Sequence, residues 1–550
     1  MYRNGLCFIS KACSKARLDF ILSYASSVVS DKLYIKLPSP LYQDPCLHQW
    51  KEYISTCYYS ASHVCPNLNV CLLLPHTPKP MSSYNQKRNL HVIMTDDATI
   101  ADTELLQFAS NIGFGADIVL RYSVDDLPSG EQRNGNNMAL TCHPSVCLGG
   151  TFDTLHHGHR VLLGVAALLA QRRLLVGITD SCLLKKKLLA PLIEAHSRRC
   201  SAVSTFLSDI DFPMERLEIC RLTDPFGPPA NDPDFQCIVA SPESVPGCKK
   251  INEMRADNQL PELHIEVIEF VPRNDHAQLS LPQSFADSKI SSSTLRMDLL
   301  GRSLLSRPLK PSRPKGRPWV VGLAGPAGSG KSTITQHLKN LAGDRLHVLH
   351  ADQIGHQIYE PGTQTYTTLV EHFAPESIVE SAPPHRIDRR KLASLVFNKA
   401  EQLERLNAVV WPRIASVIET QIIELQNDNR AELPIVVIDA ALLFEAGWDQ
   451  ICDEVWTAYI PLDEAERRLV QRSNLSAEEA LKRLCFQATG VLESIGGGSA
   501  DWWTPCQRGS TVGPIARSNV VFCSVWEVDY TRKQVKRAWE DLIQRISELQ

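Results

Sequence analysis

The octet from Gly325 to Ser332, Gly-Pro-Ala-Gly-Ser-Gly-Lys-Ser, fits G-x-x-x-x-G-K-[ST] without a mismatch. It lies between a strand-like apolar run, Trp319 to Ala324, and a stretch of helical periodicity, Ser332 to Leu341. A strand that turns through glycines into a helix aims several backbone N–H groups and the positive end of the helix at one point. Phosphate is what such a point attracts. Gly325, Gly328 and Gly330 let the backbone close in, Ser329 and Thr333 extend the cradle, Lys331 reaches the β- and γ-oxygens of ATP, and the Ser332 hydroxyl reaches Mg²⁺. The later strand-like runs His347 to Leu349, Ile435 to Ile438 and Val455 to Ile460, with helical stretches between them, predict a parallel α/β sheet around this loop.

Asp352 follows the strand-like run His347 to Leu349, where a carboxylate can accept the proton of an attacking hydroxyl. Ile387-Asp388-Arg389-x-x-Leu392, Asn407 to Pro412, and Asp439-Ala440-Ala441-Leu442-Leu443-Phe444-Glu445 then follow in order. This set resembles dephospho-coenzyme A kinase, of the P-loop NTPase fold. The resemblance implies that Asp352 is the base for a ribose 3'-hydroxyl, that Arg389 holds the acceptor and that Asp439 lies near the metal. It also implies a lid: Arg467 to Arg472 and Ser476 to Gln487 match the family's lid helices, with Arg472 and Arg483 closing over phosphates. A solvated amphipathic helix pair is the alternative.

A second phosphate-suited turn lies upstream, in Gly149-Gly150-Thr151-Phe152-Asp153-Thr154-Leu155-His156-His157-Gly158-His159. Histidines at i and i+3 share one face of a first helical turn, so His156 and His159 can bond phosphates there while His157 points elsewhere. Ile290-Ser291-Ser292-Ser293-Thr294-Leu295-Arg296 places three hydroxyls and a guanidinium at another helix start. That cluster suits a triphosphate, or serves only as an N-cap with a redundant serine run. Together, G-T-F-D, H-x-G-H and I-S-S-S-x-x-R resemble the nucleotidylyltransferase superfamily, whose fold is a Rossmann-like α/β domain. Asp224-Pro225-Phe226-Gly227-Pro228, Asp232-Pro233 and Asn252-x-x-Arg255 resemble its eukaryotic phosphopantetheine adenylyltransferase branch.

The resemblance implies that Gly150, Thr151, Phe152, His156 and His159 contact ATP or the transferring phosphate. Ser291, Ser292, Ser293 and the catalytic Arg296 would hold the nucleotide phosphates, and Lys185, Lys187 and Arg255 the acceptor. The implied reaction is attack by the phosphate of 4'-phosphopantetheine on the α-phosphorus of ATP, giving dephospho-coenzyme A and pyrophosphate. It needs orientation and charge neutralisation, with no nucleophilic side chain.

Joined in one chain, the two patterns resemble the bifunctional coenzyme A synthase family, in which the product of one site is the substrate of the next. ATP, 4'-phosphopantetheine and dephospho-coenzyme A are the implied small-molecule partners, with Mg²⁺ as cofactor; oligomeric state is not legible. A nucleotide-binding scaffold at mitochondria with one impaired domain competes with this reading, and the intact Lys331, Ser332, Asp352, His156 and His159 count against it. A net charge of -4 leaves no global positive excess for nucleic acid. The 17 cysteines are odd in number and contain no C-x-x-C pair, so neither a disulfide framework nor a zinc site is expected. Val161 to Ala170, the longest strongly apolar stretch, is too short for a bilayer and reads as a buried helix.

Pro128 to Asn137 and Ser306 to Pro318 read as linkers. They divide the chain into an N-terminal region at 1–140, a nucleotidyl-transfer domain at 141–305, a Pro-rich connection at 306–317 and a kinase domain at 318–550. In the N-terminal region Arg3, Lys11, Lys15 and Arg17 precede the first acid, Asp19. This resembles a mitochondrial targeting or membrane-surface segment; the other reading is the first helix of a folded domain of uncertain α/β type. The family's N-terminal region is associated with mitochondria, which implies a cytoplasmic and/or mitochondrial protein, at the outer membrane or in the matrix, with peripheral membrane contact through the N-terminus. No internal repeat is visible. Two stretches depart from the family pattern: an insert at 489–513 with Gly496 to Gly498 and Trp502-Trp503, and Cys523-Ser524 where an asparagine is common. The resemblance therefore does not extend to adenine binding at that strand end.

Overall fold

The computed structural model describes residues 1–10, 14–37, 47–75, 88–111, 114–115, 118–123, 141–273, 281–282, 285, 289–304, 316–373, 378–397, 399–427, 434–473, 475–489 and 515–549. The linker read at Pro128 to Asn137, most of the connection at 306–317 and the insert from 490 to 513 lie outside them. The chain divides into two compact units, Met1–Gln278 with Asp287–Leu295, and Leu279–Ala286 with Arg296–Gln550.

The first unit holds two five-stranded parallel sheets. The N-terminal one is built from β1 (Tyr2–Phe8), α1 (Lys15–Val28), β2 (Val29–Lys36), α2 (Leu47–Val64), β3 (Asn69–Leu72), β4 (Val92–Thr95), α3 (Asp102–Asn111) and β5 (Val119–Arg121), in strand order β3-β2-β1-β4-β5. The second comprises β6 (His143–Gly150), α4 (His157–Leu169), β7 (Ala170–Thr179), α5 (His196–Asp209), β8 (Leu217–Leu222), β9 (Cys237–Ala240), α6 (Val245–Asp257) and β10 (His264–Val267), in order β8-β7-β6-β9-β10, and the helix α7 (Ser292–Leu299) has only its first turn in this unit. The N-terminal residues are thus a folded domain: β1 is the central strand of its sheet, and Ser14 caps α1 by accepting from Arg17 N.

The expected separation of 1–140 from the nucleotidyl-transfer domain does not hold at the level of the core, which runs unbroken from Leu6 and Trp50 to Val165 and Val239. Helix α4 explains this. Every residue from Val161 to Leu169 is buried, although a helix on the outer face of a sheet ordinarily keeps one face in water. Here α2 covers that face: Ile54 lies where a Cβ on Gly164 would come within 3.2 Å. Polar ties reinforce the contact, Lys32 Nζ and Tyr34 Oη meeting Asp209 at 2.6 and 2.8 Å and Arg160 donating to Val70 O at 2.6 Å.

The second unit carries β11 (Trp319–Ala324), α8 (Lys331–Ala342), β12 (Leu346–His350), α9 (Ala351–Gln357), α10 (Gln364–Phe373), α11 (Arg389–Phe397), α12 (Ala400–Asn427), β13 (Ile435–Asp439), β14 (Glu454–Tyr459), α13 (Leu462–Ser473), α14 (Ala477–Thr489), β15 (Val520–Cys523) and α15 (Val528–Leu549). Its parallel sheet runs β12-β13-β11-β14-β15, so the second and third strands exchange places relative to the other two sheets. β11 is buried along its whole length, with α8 and α15 packed on one face of the sheet and α9 and α12 on the other. Its carboxyl end therefore opens into the glycine loop at the centre of the sheet's edge, where ligands of open α/β sheets bind.

Candidate active sites

Between β6 and α4 the chain makes a strained turn: Phe152 and Thr154 hold φ at 50° and 47°, which non-glycine residues adopt only when the surroundings enforce it. The enforcement is visible. Buried Arg199 donates to Thr151 O at 2.7 Å, Thr179 O at 2.9 Å and Glu194 O at 2.9 Å. Glu194 N donates to Asp153 Oδ1 at 2.8 Å, and Ser292 Oγ donates to Asp153 O at 2.9 Å, bringing the start of α7 against the turn.

At the start of α4, His156 Nδ1 accepts from His159 N at 3.4 Å and the two rings stack with centroids 3.8 Å apart. A Cβ at Gly158 would stand 3.1 Å from the His156 ring, so any larger residue in H-x-G-H would press on this stack. Burial, then the charges of His159, His157 and Arg160, hold His156 well below the ordinary histidine range. Burial alone takes His159 down to about 3. Two neutral imidazoles at the positive end of a helix make an uncompensated cradle, and an arriving polyphosphate supplies the missing charge.

In the second unit Gly325, Gly328 and Gly330 take φ of 143°, 80° and 90°. A Cβ at Gly325 would meet Ala458 O at 2.5 Å, and one at Gly330 would meet Ser524 Oγ at 2.8 Å. Lys331 Nζ bends back over the loop, donating to Gly325 O at 2.6 Å and Pro326 O at 3.2 Å. Burial lowers its ammonium from the ordinary lysine value; Asp439 and Asp352 pull it up, and Arg472 and Arg483 push it down. Four expected groups from separate elements thus act on this one cation. Asp439, at the end of β13, faces His350 at the end of β12, Oδ2 to Nδ1 3.2 Å. Arg389 donates to His356 Nδ1 at 3.2 Å, one turn beyond Asp352 on α9.

Mg²⁺ takes one or two protein oxygens and completes its shell with phosphate and water. The exposed Ser332 in the first turn of α8 and the half-buried Asp439 fit that need. No group of three or more His, Cys, Asp or Glu able to cage a metal exists among the described residues.

Two family models match the chain: cytidylyltransferase-like over residues 147–298, and dephospho-CoA kinase over residues 319–491. A dephospho-CoA kinase from Moorella thermoacetica is 30% identical over 230 residues, which are 42% of this chain and 95% of that protein. The chain belongs to the dephospho-CoA kinase family. The Geobacter sulfurreducens dephospho-CoA kinase is 35% identical over 168 residues, 30% of this chain and 81% of its own length. The solved Campylobacter jejuni dephospho-CoA kinase is 22% identical, with 42% of this chain and 97% of that one covered and a TM-score of 0.28. This member of the dephospho-CoA kinase family carries a cytidylyltransferase-like domain ahead of its kinase domain, the order of the fused bifunctional coenzyme A synthases, and is a bifunctional transferase.

Some expected roles change within this family member. Arg255 is fully buried and spends its guanidinium on the carbonyls of Pro261, Pro229, Asp232 and Phe235; it holds the loops together and does not reach an acceptor. Phe152 is likewise buried, its ring 5.2 Å from that of His159, so it supports the imidazole and a ligand could meet only its backbone. Ser291 exchanges capping bonds with Thr294, Ser291 N to Thr294 Oγ1 3.0 Å and Thr294 N to Ser291 Oγ 3.2 Å, the plain N-cap of the two readings. Ser292 gives its proton to Asp153 O, Ser293 is half-buried beside it, and Arg296 is buried one turn on and belongs to the second compact unit. Lys185 and Lys187 are both exposed, so the structure does not choose between them.

Other roles escaped sequence reasoning, even where the residues themselves were noticed. Arg199 and Glu194 fix the strained turn from α5 and the segment before it. Arg468 donates to Gly328 O at 3.2 Å, Ser524 Oγ at 2.8 Å and Ser524 O at 2.6 Å, while Ser524 Oγ donates to Ser329 O at 2.9 Å. Ser524, of the Cys523-Ser524 pair, is therefore part of a clasp on the phosphate loop. α13 and α14 pack together through Leu469, Ala480 and Leu484 against Ala327 of that loop, with a Ser476/Glu479 capping box opening α14.

Proposed function

We propose that the chain performs two successive ATP-dependent steps, adenylylation of 4'-phosphopantetheine at the β6–α4 turn and 3'-phosphorylation of the resulting dephospho-coenzyme A at the β11–α8 loop. The observation that carries this reading is that each of two parallel sheets in one chain ends a strand in a tight turn that opens directly into a helix. One carries stacked neutral imidazoles, the other a half-buried lysine acted on by Asp352 and Asp439.

In the first step an oxygen of the 4'-phosphate bonds to the α-phosphorus of ATP as the bond to pyrophosphate breaks. His156, His159 and the first N–H groups of α4 donate to the phosphoryl oxygens, so charge is neutralised without a covalent intermediate. In the second, the ribose 3'-hydroxyl passes its proton to Asp352 as its oxygen bonds to the γ-phosphorus and the bond to ADP breaks. Lys331 exchanges Gly325 O for phosphate oxygens, and Arg472 and Arg483 offset charge from the lid side. Ser332 and Asp439 would hold a Mg²⁺ ion, which would supply charge screening for the polyphosphate.

Pyrophosphate release separates the first step from its alternatives. With 4'-phosphopantetheine as acceptor, ATP should support release and CTP should not. His159→Ala should cut release by about 100-fold or more while dephospho-coenzyme A supplied from outside is still phosphorylated. Release that is equal with CTP, or independent of the acceptor, would refute the adenylylation assigned to this site.

A further inference from the structure

The two sheets of the first unit share more than a strand order. The offset that carries Tyr2 to His143 converts the whole β1/β2 pairing into the β6/β7 pairing: Tyr2↔Val29 becomes His143↔Ala170, Asn4↔Lys32 becomes Ser145↔Arg173, and Leu6↔Tyr34 becomes Cys147↔Leu175. The irregularity after the first pair is reproduced at the same place in both. The fourth and fifth strands follow: Gly5↔Val92 and Ile93↔Val119 correspond to Val146↔Cys237 and Ile238↔Ile265. Both crossover helices run into the next strand without a turn, closed by the same bond, Val29 N to Ala25 O and Ala170 N to Ala166 O. A one-residue slip would turn a strand's buried side chains to the wrong face, so a central pairing that matches throughout at one offset, irregularity included, within the same five-strand order points to two copies of one fold.

The chemistry has not been copied. Where the second domain has Gly149, Gly150, His156 and His159, the first has Phe8, Ile9, Lys15 and Leu18, and Ile9 and Leu18 are buried in its core. Its anion cradle is filled from within. Ser10 N, at the position of Thr151, donates to Asp96 Oδ1 at 2.8 Å, and Arg17 on the first turn of α1 donates to Asp96 Oδ2 at 2.5 Å. Those side chains are 0% and 8% exposed. A carboxylate with its own guanidinium thus sits where the second domain offers N–H groups and imidazoles to a phosphate.

We propose that residues 1–122 are a second, non-catalytic copy of the nucleotidylyltransferase fold, with its phosphate cradle closed by Asp96 and Arg17, and that it serves as the built-in cover of α4 in the catalytic copy. The exposed apolar stripe that α4 would otherwise present is buried within the chain by α2. This rests on the proposed function only in taking the histidine-bearing copy as the one that binds ATP.

Two measurements on the full-length protein test it. Photolabelling with 8-azido-ATP and Mg²⁺, followed by peptide mapping, should mark peptides from 141–304 and 316–549 and none from 1–122. ATP-competable label on the peptides carrying Lys15 or Asp96 would overturn the closed cradle. Label missing from 141–304 as well would sink adenylylation there and still support closure of the first copy. For the cover, Ile54→Ala should lower the melting midpoint of the first unit by several degrees and leave the kinase rate on supplied dephospho-coenzyme A unchanged. A wild-type midpoint in both Ile54→Ala and the more drastic Ile54→Asp would overturn the covering role.

Discussion

Three imidazoles within one helical turn do different work because the helix points them in different directions. His156 and His159 stack over the cradle, while His157 turns inward beside Tyr58, ring centroids 6.1 Å apart, where burial and then Arg160 push it down to about 3. In the unfolded chain a histidine titrates near ~6.5. The unfolded state therefore binds the proton first on acidification: the contribution of His157 is fully present above ~6.5 and is lost as the pH falls toward about 3, amounting to about 2 kcal/mol by pH 5. A His157→Phe variant should flatten the acid limb of the melting temperature; an unchanged limb would assign that limb to other groups. The same physics gives a binding prediction. Burial holds His156 and His159 neutral in the free protein and ATP favours their charged forms, so nucleotide binding in a Lys331→Ala protein should take up protons and tighten as the pH falls below neutrality. Calorimetry in buffers of different ionisation enthalpy reads that uptake, and none would be seen if ATP did not meet these rings. At this scale the sequence was informative where a motif favours a residue for its shape, as at Gly158. It misled at Arg255, because a guanidinium that satisfies four loop carbonyls looks the same in a sequence as one aimed at a substrate.

The elements around the kinase loop were legible to within a residue or two, since strand and helix periods and the glycines announce themselves. Their neighbours were not. His350 meets Asp439 only because β12 pairs with β13 in register, although the two strands are far apart in the chain. Arg468 and Ser524 meet because α13 and β15 converge on the same loop. That clasp sets the loop's shape before ATP arrives. Arg468→Ala removes charged hydrogen bonds worth about 1.5–3 kcal/mol each, so the kinase step should lose at least about tenfold in kcat/KM for ATP, with KM for dephospho-coenzyme A nearly unchanged. Arg468→Lys should fall between, because an ammonium cannot reproduce the fork. A loss of equal size in both KM values would mean that Arg468 acts on the acceptor.

Across the molecule, the two transferase domains could be read from their motifs, whereas the duplication in the first unit could not. Register and strand order survive substitutions that erase Gly149, Gly150, His156 and His159 from the other copy, and only paired strands make them visible. Breaking the Arg17–Asp96 pair with Asp96→Asn leaves a buried guanidinium without its counter-charge, a cost of about 3–5 kcal/mol. The first unit should melt earlier in calorimetry while kinase turnover on supplied dephospho-coenzyme A persists; an unshifted first transition would show that the pair bears no weight. The central claim is that two separate phosphate cradles act in sequence on one molecule. Purified protein given 4'-phosphopantetheine, ATP and Mg²⁺ and followed by mass spectrometry should form dephospho-coenzyme A and then coenzyme A. Lys331→Ala should accumulate dephospho-coenzyme A and stop there, whereas failure of folded Lys331→Ala protein to form even that intermediate would contradict the account.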